Sequence, residues 1–438
     1  MANIIKYADF GILLNFCIRY SIIGIKKEAA HMVIRKEYLS RLLAWKDEQV
    51  IKVVTGIRRC GKSTLMKQFQ DHLLEEGVSQ EQIISINFED LDYEDLLDYK
   101  ALYAYIKQRL CPDKMTYIFL DEIQKVDSFQ KAVDSLFIKE NTDIYITGSN
   151  AYLLSGDLAT LLTGRYVGIS MLPLSFAEYL ECSGETGEQA LASYMKFGGF
   201  PYLSQMENTV EKVDIYLEGT YNTVVVKDIE DRQLRKHHDP NKRKITDITL
   251  LKTIARYLAS VIGSPVSVKS VSDYLISSGR KVSPNTVDDY MEALQESFIF
   301  YPVERFDING KQLLKVNRKW YIVDFGLRNH ILPKKRYDLG FSLENIVFFE
   351  LLRRGYQVNV GKNGDTEVDF VAQKQGVLHY YQVTADMTNE DTFDRKIRPL
   401  QSIKDNYEKM ILTMDRMTPG DYEGIKVVHL LDWLLEKN

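Results

Sequence analysis

The sequence predicts an α/β protein of several domains, and three observations carry that prediction. An apolar run at 51–54 passes through a glycine-rich turn into an amphipathic helix, in "IKVVTGIRRCGKSTLMKQFQDHLLEEG". A second apolar run, 117–120 in "MTYIFLDEIQKV", ends in two acids, as a buried strand does at the ligand-binding end of a parallel sheet. From Gly340 onward the pattern reads helix (342–354), three strands, helix (about 388–406), two strands and a short helix.

Composition bounds the rest. The chain has 438 residues, 45% apolar and 27% charged, which is the balance of a globular protein with room for roughly two to four domains. No run of about 20 residues is free of charge, so the sequence predicts no transmembrane helix. A net charge of −5 excludes a uniformly basic coat and confines any nucleic-acid contact to local patches. Cys17, Cys60, Cys111 and Cys182 lie far apart without a C-x-x-C pair, which fits free thiols in a reducing cytoplasm better than a disulfide frame or a zinc site. "FGILLNFCIRYSIIGIKK" (10–27) resembles a weak signal sequence, but Arg19 interrupts it and no small-residue cleavage site follows. Residues 1–31 therefore read as an upstream extension, with Met32 the expected natural start.

Gly56, Gly61, Lys62 and Ser63 satisfy G-x-x-x-x-G-K-[ST] between strand and helix. Glycines let the backbone wrap phosphate oxygens, and the following helix directs free N–H groups and its positive dipole end at them. The expected nucleotide cradle is Gly56, Ile57, Arg58, Arg59, Cys60, Gly61, Lys62, Ser63 and Thr64. Lys62 would reach the β- and γ-phosphates of ATP, and Ser63 would take Mg²⁺. Asp121 is the expected second holder of Mg²⁺, through water, and Glu122 the group that polarises the attacking water; solvated acids at a strand exit are the plainer alternative. A third strand, in "DIYITGSNAYLLSG", ends in Ser149 and Asn150, either of which could bond the γ-phosphate or the water. Arg165, after Gly164, is a candidate arginine finger or a helix C-terminal cap. Cys60 is a redox-sensitive thiol beside positive charge or small-residue filler.

The set "GIRRCGKST", "IFLDEIQ", "ITGSN", "LLTGRY", "PLSFAEYL" and "FGGFP" resembles the bacterial and archaeal AAA-type ATPases that carry the C-terminal domain of unknown function 4143. The resemblance runs from about Met32 onward. It implies ATP with Mg²⁺, a three-layer α/β P-loop ATPase core, a helical lid, a winged helix and a C-terminal α/β restriction-endonuclease-like domain. The expected boundaries are 1–31 for the extension, 32–185 for the core, 186–245 for the lid and a basic linker, 246–335 for the winged helix and 336–438 for the last domain.

In the middle of the chain, "ALASYMKFGGFPYL" reads as a helix stopped by Gly198 and Gly199. "RQLRKHHDPNKRK" (232–244) is a solvated linker or an arm that contacts DNA phosphates, and His237, His238 and Asp239 within it read as loop residues. Three helical patterns follow between 248 and 297, the last entered through Ser283-Pro284, and Asn309-Gly310 marks a hairpin wing. The third helix bears Asp288, Asp289, Glu292 and Glu296 without Lys or Arg, so it suits a protein contact better than a DNA groove. Lys311, Lys315, Arg318 and Lys319 on the wing side could still touch a DNA backbone.

In "EVDFVAQKQGVLHYYQVT" two alternating strands meet at a Gln-Gly turn, bringing Asp369 and Gln382 together. With Glu344 on the preceding helix they form a candidate vestigial nuclease site. Two-metal phosphodiester cleavage also needs a lysine, and its expected position carries Thr384; Lys362 and Lys374 are the candidates to replace it. The sequence thus points to a cytoplasmic Mg²⁺-ATPase coupled to DNA-associated or regulatory work, with a slow protein-binding switch and an ATP-gated nuclease as alternatives. No membrane partner is expected, and oligomeric state stays open.

Overall fold

The structure is a computed structural model that describes residues 33–149, 164–206, 209–228, 247–332, 339–418 and 420–436. The N-terminal extension with Met32, the basic run 232–244 and Asn150 lie outside the described residues. The chain divides into two compact units, Met1–Met171 with Ser204–Met206, and Leu172–Leu203 with Glu207–Asn438. The first boundary falls before the helix Phe176–Ser183, earlier than the expected limit at 185.

The first unit is built on a five-stranded sheet in the order β2-β3-β4-β1-β5. Its strands are β1 (Ile51–Thr55), β2 (Ile83–Asn87), β3 (Thr116–Asp121), β4 (Thr142–Gly148) and β5 (Tyr166–Ser170), and every pairing is parallel. Alternation of side chains along the strands separates two buried faces. Ile118, Leu120, Ile144 and Ile146 pack on one face with Leu102, Ile106, Val133 and Leu136 from the helices Tyr99–Lys107 and Phe129–Phe137. The intervening Phe119 and Tyr145 stack on the other, where Phe69 of the helix Lys62–Glu75 joins them. This gives three layers, α/β/α, with the strand C-termini all at one edge. Lys52 and Asp143 form a fully buried ion pair between β1 and β4.

The second unit holds a mixed sheet of nine strands, in the order β13-β14-β12-β11-β10-β9-β7-β8-β6. They are β6 (Pro265–Val266), β7 (Phe300–Asp307), β8 (Gln312–Ile322), β9 (Gln357–Asn363), β10 (Thr366–Lys374), β11 (Val377–Thr384), β12 (Glu408–Thr413), β13 (Gly420–Tyr422) and β14 (Ile425–His429). Three helices, Ile248–Ser260, Val268–Ser277 and Pro284–Glu296, precede the β7–β8 hairpin. Its turn forms at the expected place by a different device. Asp307 Oδ1 accepts the N–H groups of Asn309 and Gly310, both at 3.1 Å, and the left-handed residue is Lys311. The Gln375–Gly376 turn has positive φ at both residues, 51° and 82°, as a tight two-residue hairpin needs.

The last hundred residues follow the expected element order with one addition, three strands rather than two after the second helix, because the short β13 folds back on β14; the helices are Leu339–Arg353, Glu390–Gln401 and Leu430–Leu435. They are not a separate sheet: β7 pairs in parallel with β9, so the hairpin and the C-terminal strands are one surface.

Candidate functional site

In the first unit, the residues expected to handle nucleotide lie on the loops that leave β1, β4 and β3, which are adjacent strands. The loop 56–61 approaches its surroundings closely. A Cβ on Gly56 would lie 2.0 Å from the carbonyl oxygen of Met171, and φ is positive at Gly56, Arg59 and Gly61. Lys62 Nζ folds back to donate to the carbonyls of Gly56 at 3.0 Å and Ile57 at 3.3 Å, and to Ser149 Oγ at 3.2 Å. It stands 3.8 Å from Glu122 Oε1.

Glu122 is buried and held by three groups: Lys62, the Ser149 hydroxyl and the Gln124 amide. Burial alone would raise its carboxyl, but Lys62, Ser149 and Gln124 outweigh burial and hold it below the ordinary value. Its backbone is in the left-handed region, φ 54°, an uncommon conformation for a side-chain-bearing residue. Asp121 goes the other way, raised by burial despite hydrogen bonds from Ser63 and Thr147. Those two neighbours were not both foreseen. Thr147 lies two residues before Ser149 and so faces the same side of β4, a signal present in the sequence.

The Ser63–Asp121 hydrogen bond places two hard oxygen donors side by side, which is the chemistry Mg²⁺ requires. Arg58 pairs with Glu89 at 3.2 Å. Cys60 is wholly buried and burial pushes its thiol up, which favours filler over a redox sensor. Arg165 lies elsewhere: its carbonyl accepts from Ile51 N at 2.9 Å, at the start of β1, and its guanidinium rests over Phe137. The phosphate loop leaves the opposite end of β1, so the structure does not bring Arg165 together with Lys62 within the chain.

In the second unit a cleft of about 650 Å³ collects Glu344, Glu367, Asp369, Gln382, Arg395 and Lys396. The β9–β10 pairing shifts register between Val368 and Val371, beside the cleft residue Asp369. The ladder to β11 starts at Phe370–Tyr381, and beyond it the side chains take over: Asp369 Oδ2 accepts Val383 N at 2.7 Å, and Gln382 Nε2 donates to Glu367 O at 3.0 Å.

A lysine reaches Asp369 and Gln382 from a helix. Lys396, on Glu390–Gln401, donates to Asp369 Oδ2 at 2.8 Å and Gln382 Oε1 at 3.2 Å. Lys374 is committed elsewhere, to the carbonyl of Arg354 at 2.7 Å, and Lys362 does not line the cleft. Thr384 bonds the carbonyl of Asp386 at 3.0 Å.

Lys319 corrects a second expectation. It is not on a DNA-facing surface; it is 2% exposed, with Nζ 2.7 Å from Glu367 and 3.5 Å from Glu344. Burial opposes its charge, but Glu344, Asp369 and Glu367 overrule burial and raise its pKa. Glu344 is pushed up to about 7 by burial and by Asp369. Among the described residues no group of three or more His, Cys, Asp or Glu is arranged to hold a metal. A set of two carboxylates and an amide oxygen remains, and Asp369 and Gln382 already turn their oxygens toward one cation, the Lys396 ammonium. That donor set fits a single hard divalent ion.

Fold and phosphate loop together define a P-loop protein of the AAA class. Residues 48–180 match the AAA domain model, and residues 188–338 match the domain of unknown function 8612. An uncharacterized protein of Haemophilus influenzae is 38% identical over 411 residues, covering 92% of this chain and 99% of its own length. The chain belongs to that family of AAA-domain proteins. An uncharacterized protein of Methanocaldococcus jannaschii is 28% identical over 423 residues, covering 88% of each. Among solved structures, the Walker-type ATPase of Pyrococcus abyssi aligns with 71% of this chain and 99% of its own at TM-score 0.47 and 15% identity. No helix of the described residues is long and apolar enough to cross a membrane.

Proposed function

We propose that the chain is a Mg²⁺-dependent ATPase whose nucleotide state is transmitted to its C-terminal unit. The convergence of Lys62, Ser149 and Glu122 at the ends of three adjacent parallel strands carries this reading. The 56–61 loop and Lys62 would bind phosphates, Ser63 and Asp121 would hold Mg²⁺, and Glu122 would accept the proton of the attacking water. Bound Mg²⁺ supplies charge neutralisation at the transferred phosphate. In the described arrangement Lys62 and Ser149 occupy Glu122, so ATP phosphates that recruit Lys62 would release the carboxylate for catalysis. Arg165 could act as an arginine finger only on a neighbouring copy.

Lys62→Ala is expected to abolish ATP binding, and Glu122→Gln to bind ATP without turnover, measured by equilibrium binding and phosphate release. Wild-type turnover in Glu122→Gln would sink the assignment. Helices before a hairpin support reading 246–335 as a winged helix, with 186–245 a lid. The acidic helix Pro284–Glu296 favours a protein partner there, whereas the basic linker favours DNA. ATPase rate with and without DNA separates the two.

A second reading is favoured by Lys396. The C-terminal cleft would be restriction-endonuclease-like, with Asp369, Glu344 and Gln382 holding a divalent ion that polarises a phosphodiester, and Lys396 supplying the ammonium in place of Thr384. Mn²⁺-dependent cleavage of plasmid or single strands that disappears in Asp369→Ala supports it; no cleavage with either Mg²⁺ or Mn²⁺ retires it.

A further inference from the structure

We propose that Lys319 is a tethered second cation of the C-terminal cleft, so that this site takes one divalent ion where a two-metal site would take two. The inference rests on the reading of the cleft as a cation-holding phosphodiester site. Lys319 comes from β8, in the hairpin, and not from the C-terminal elements that carry the other groups. Its ammonium is nearly inaccessible to water and bridges the carboxylates of Glu367 and Glu344.

Tyr321, two residues along the same strand and on the same face, directs its hydroxyl to Glu344 Oε2 at 3.5 Å. Gly263 lies against Glu344 as well: a Cβ there would come within 2.6 Å of Phe341 and 3.3 Å of Glu344 Oε2. The helical segment and hairpin therefore pack behind Glu344, and Lys319 reaches the cleft through the carboxylates it pairs with rather than as part of its lining.

Charge accounting gives the stoichiometry. Glu344, Glu367 and Asp369 bring between two and three negative charges at neutral pH, because Glu344 is pushed up to about 7, and those of the buried Glu344 and Asp369 must be balanced. Two lysines do so now, Lys396 against Asp369 and Lys319 against Glu367 and Glu344. Lys396 is part-exposed on a helix of the cleft rim and can yield Asp369 and Gln382 to an incoming ion. Lys319 is fixed in the sheet between two strands and cannot leave without taking a charge out of the core. Its claim on Glu367 explains why two carboxylates, and not three, remain for metal. A fixed ammonium cancels carboxylate charge as a second metal ion would, without its coordination demands.

The test counts ions on the full-length chain without nucleotide, titrating Mn²⁺ and following the free ion by electron paramagnetic resonance. Wild type is expected to bind one ion more than Asp369→Ala, and Lys319→Met one more than wild type. The double variant Lys319→Met/Glu367→Gln should return to the wild-type count. Equal counts for Lys319→Met and wild type overturn the tethered-cation inference. Equal counts for wild type and Asp369→Ala overturn the underlying reading of the cleft, and the difference at Lys319 is still read separately. Because Lys319→Met leaves buried carboxylates unbalanced, its thermal unfolding is followed too. A lowered midpoint that Mn²⁺ restores further than it raises wild type supports the inference, and a lowered midpoint indifferent to Mn²⁺ overturns it. Should Lys319→Met not purify, Lys319→Gln goes through the same two measurements.

Discussion

Gly56 shows how a single backbone atom can govern the phosphate loop. Its φ of +153° and the 2.0 Å that would separate a Cβ from Met171 O leave no room for a methyl group. Met171 cannot retreat, because its N–H donates to Thr55 O at 2.7 Å and fixes it to β1. Gly56→Ala should therefore displace the loop, weaken ATP binding and destabilise the first unit by about 1–3 kcal/mol, the usual scale of local backbone strain. Calorimetric unfolding and nucleotide titration check both effects; an Ala variant with wild-type affinity would show that the loop has slack. The loop was legible in the sequence because its parts are contiguous: glycines, lysine and serine act within one turn of chain. Lys396 was not legible. Its distance in sequence from Asp369 and Gln382 is set by how the helix Glu390–Gln401 returns over the sheet, which no local pattern encodes. The same holds for Lys319, whose position in a polar hairpin reads as solvent-facing until strand β7 is seen to continue into β9.

At the level of elements, the Lys52–Asp143 pair joins β1 to β4 inside the core, with side chains 0% and 1% exposed. Tyr145 Oη at 2.8 Å and the N–H of Asp47 at 2.9 Å complete the shell of Asp143. Losing one partner strands a buried charge, so Lys52→Met should cost about 3–5 kcal/mol. Lys52→Met with Asp143→Leu should recover much of it, and denaturant unfolding of the pair of variants reads the difference. A second junction is Asp324, the N-cap of the helix Phe325–Ile331, which accepts from Leu327 N at 2.9 Å and from Gly199 N at 2.6 Å. The Gly198–Gly199 stop that the sequence marks is thus a receptor for a distant carboxylate: a Cβ on Gly198 would lie 2.3 Å from Asp324 Oδ1. Burial pushes Asp324 up from 3.8 to about 6. The folded chain then holds this proton more tightly than the unfolded chain, so stability from this group falls as pH rises from about 4 to about 6. A shift of about two units corresponds to about 3 kcal/mol. Asp324→Asn should flatten that stretch of the stability–pH curve, and an unchanged slope would assign it to other carboxyls.

Over the whole molecule, the second unit departs most from what the sequence suggested, because its nine-stranded sheet runs through an expected domain boundary at 335/336. The boundary was natural to draw there, since a hairpin closes before it and a helix opens after it. Parallel pairing of β7 with β9, at Arg305–Val360, Phe306–Gly361 and Asp307–Lys362, is a long-range contact without a local signature. Cutting the chain at 335 would leave β7 with an unpaired edge and Lys319 with neither Glu344 nor Glu367. The fragment 246–335 is therefore expected to aggregate or to lack a cooperative transition, and 339–438 to lose the ammonium that pairs with Glu344 and Glu367. Co-expression of the two halves as separate chains should restore a soluble complex, because the pairing is non-covalent and the cut falls outside every described strand. Size-exclusion chromatography and circular dichroism of each fragment and of the co-expressed pair make the comparison. A fragment 246–335 that is monomeric and unfolds cooperatively on its own would mean that the hairpin is self-sufficient and that β7–β9 pairing contributes little to holding Lys319 against Glu344 and Glu367.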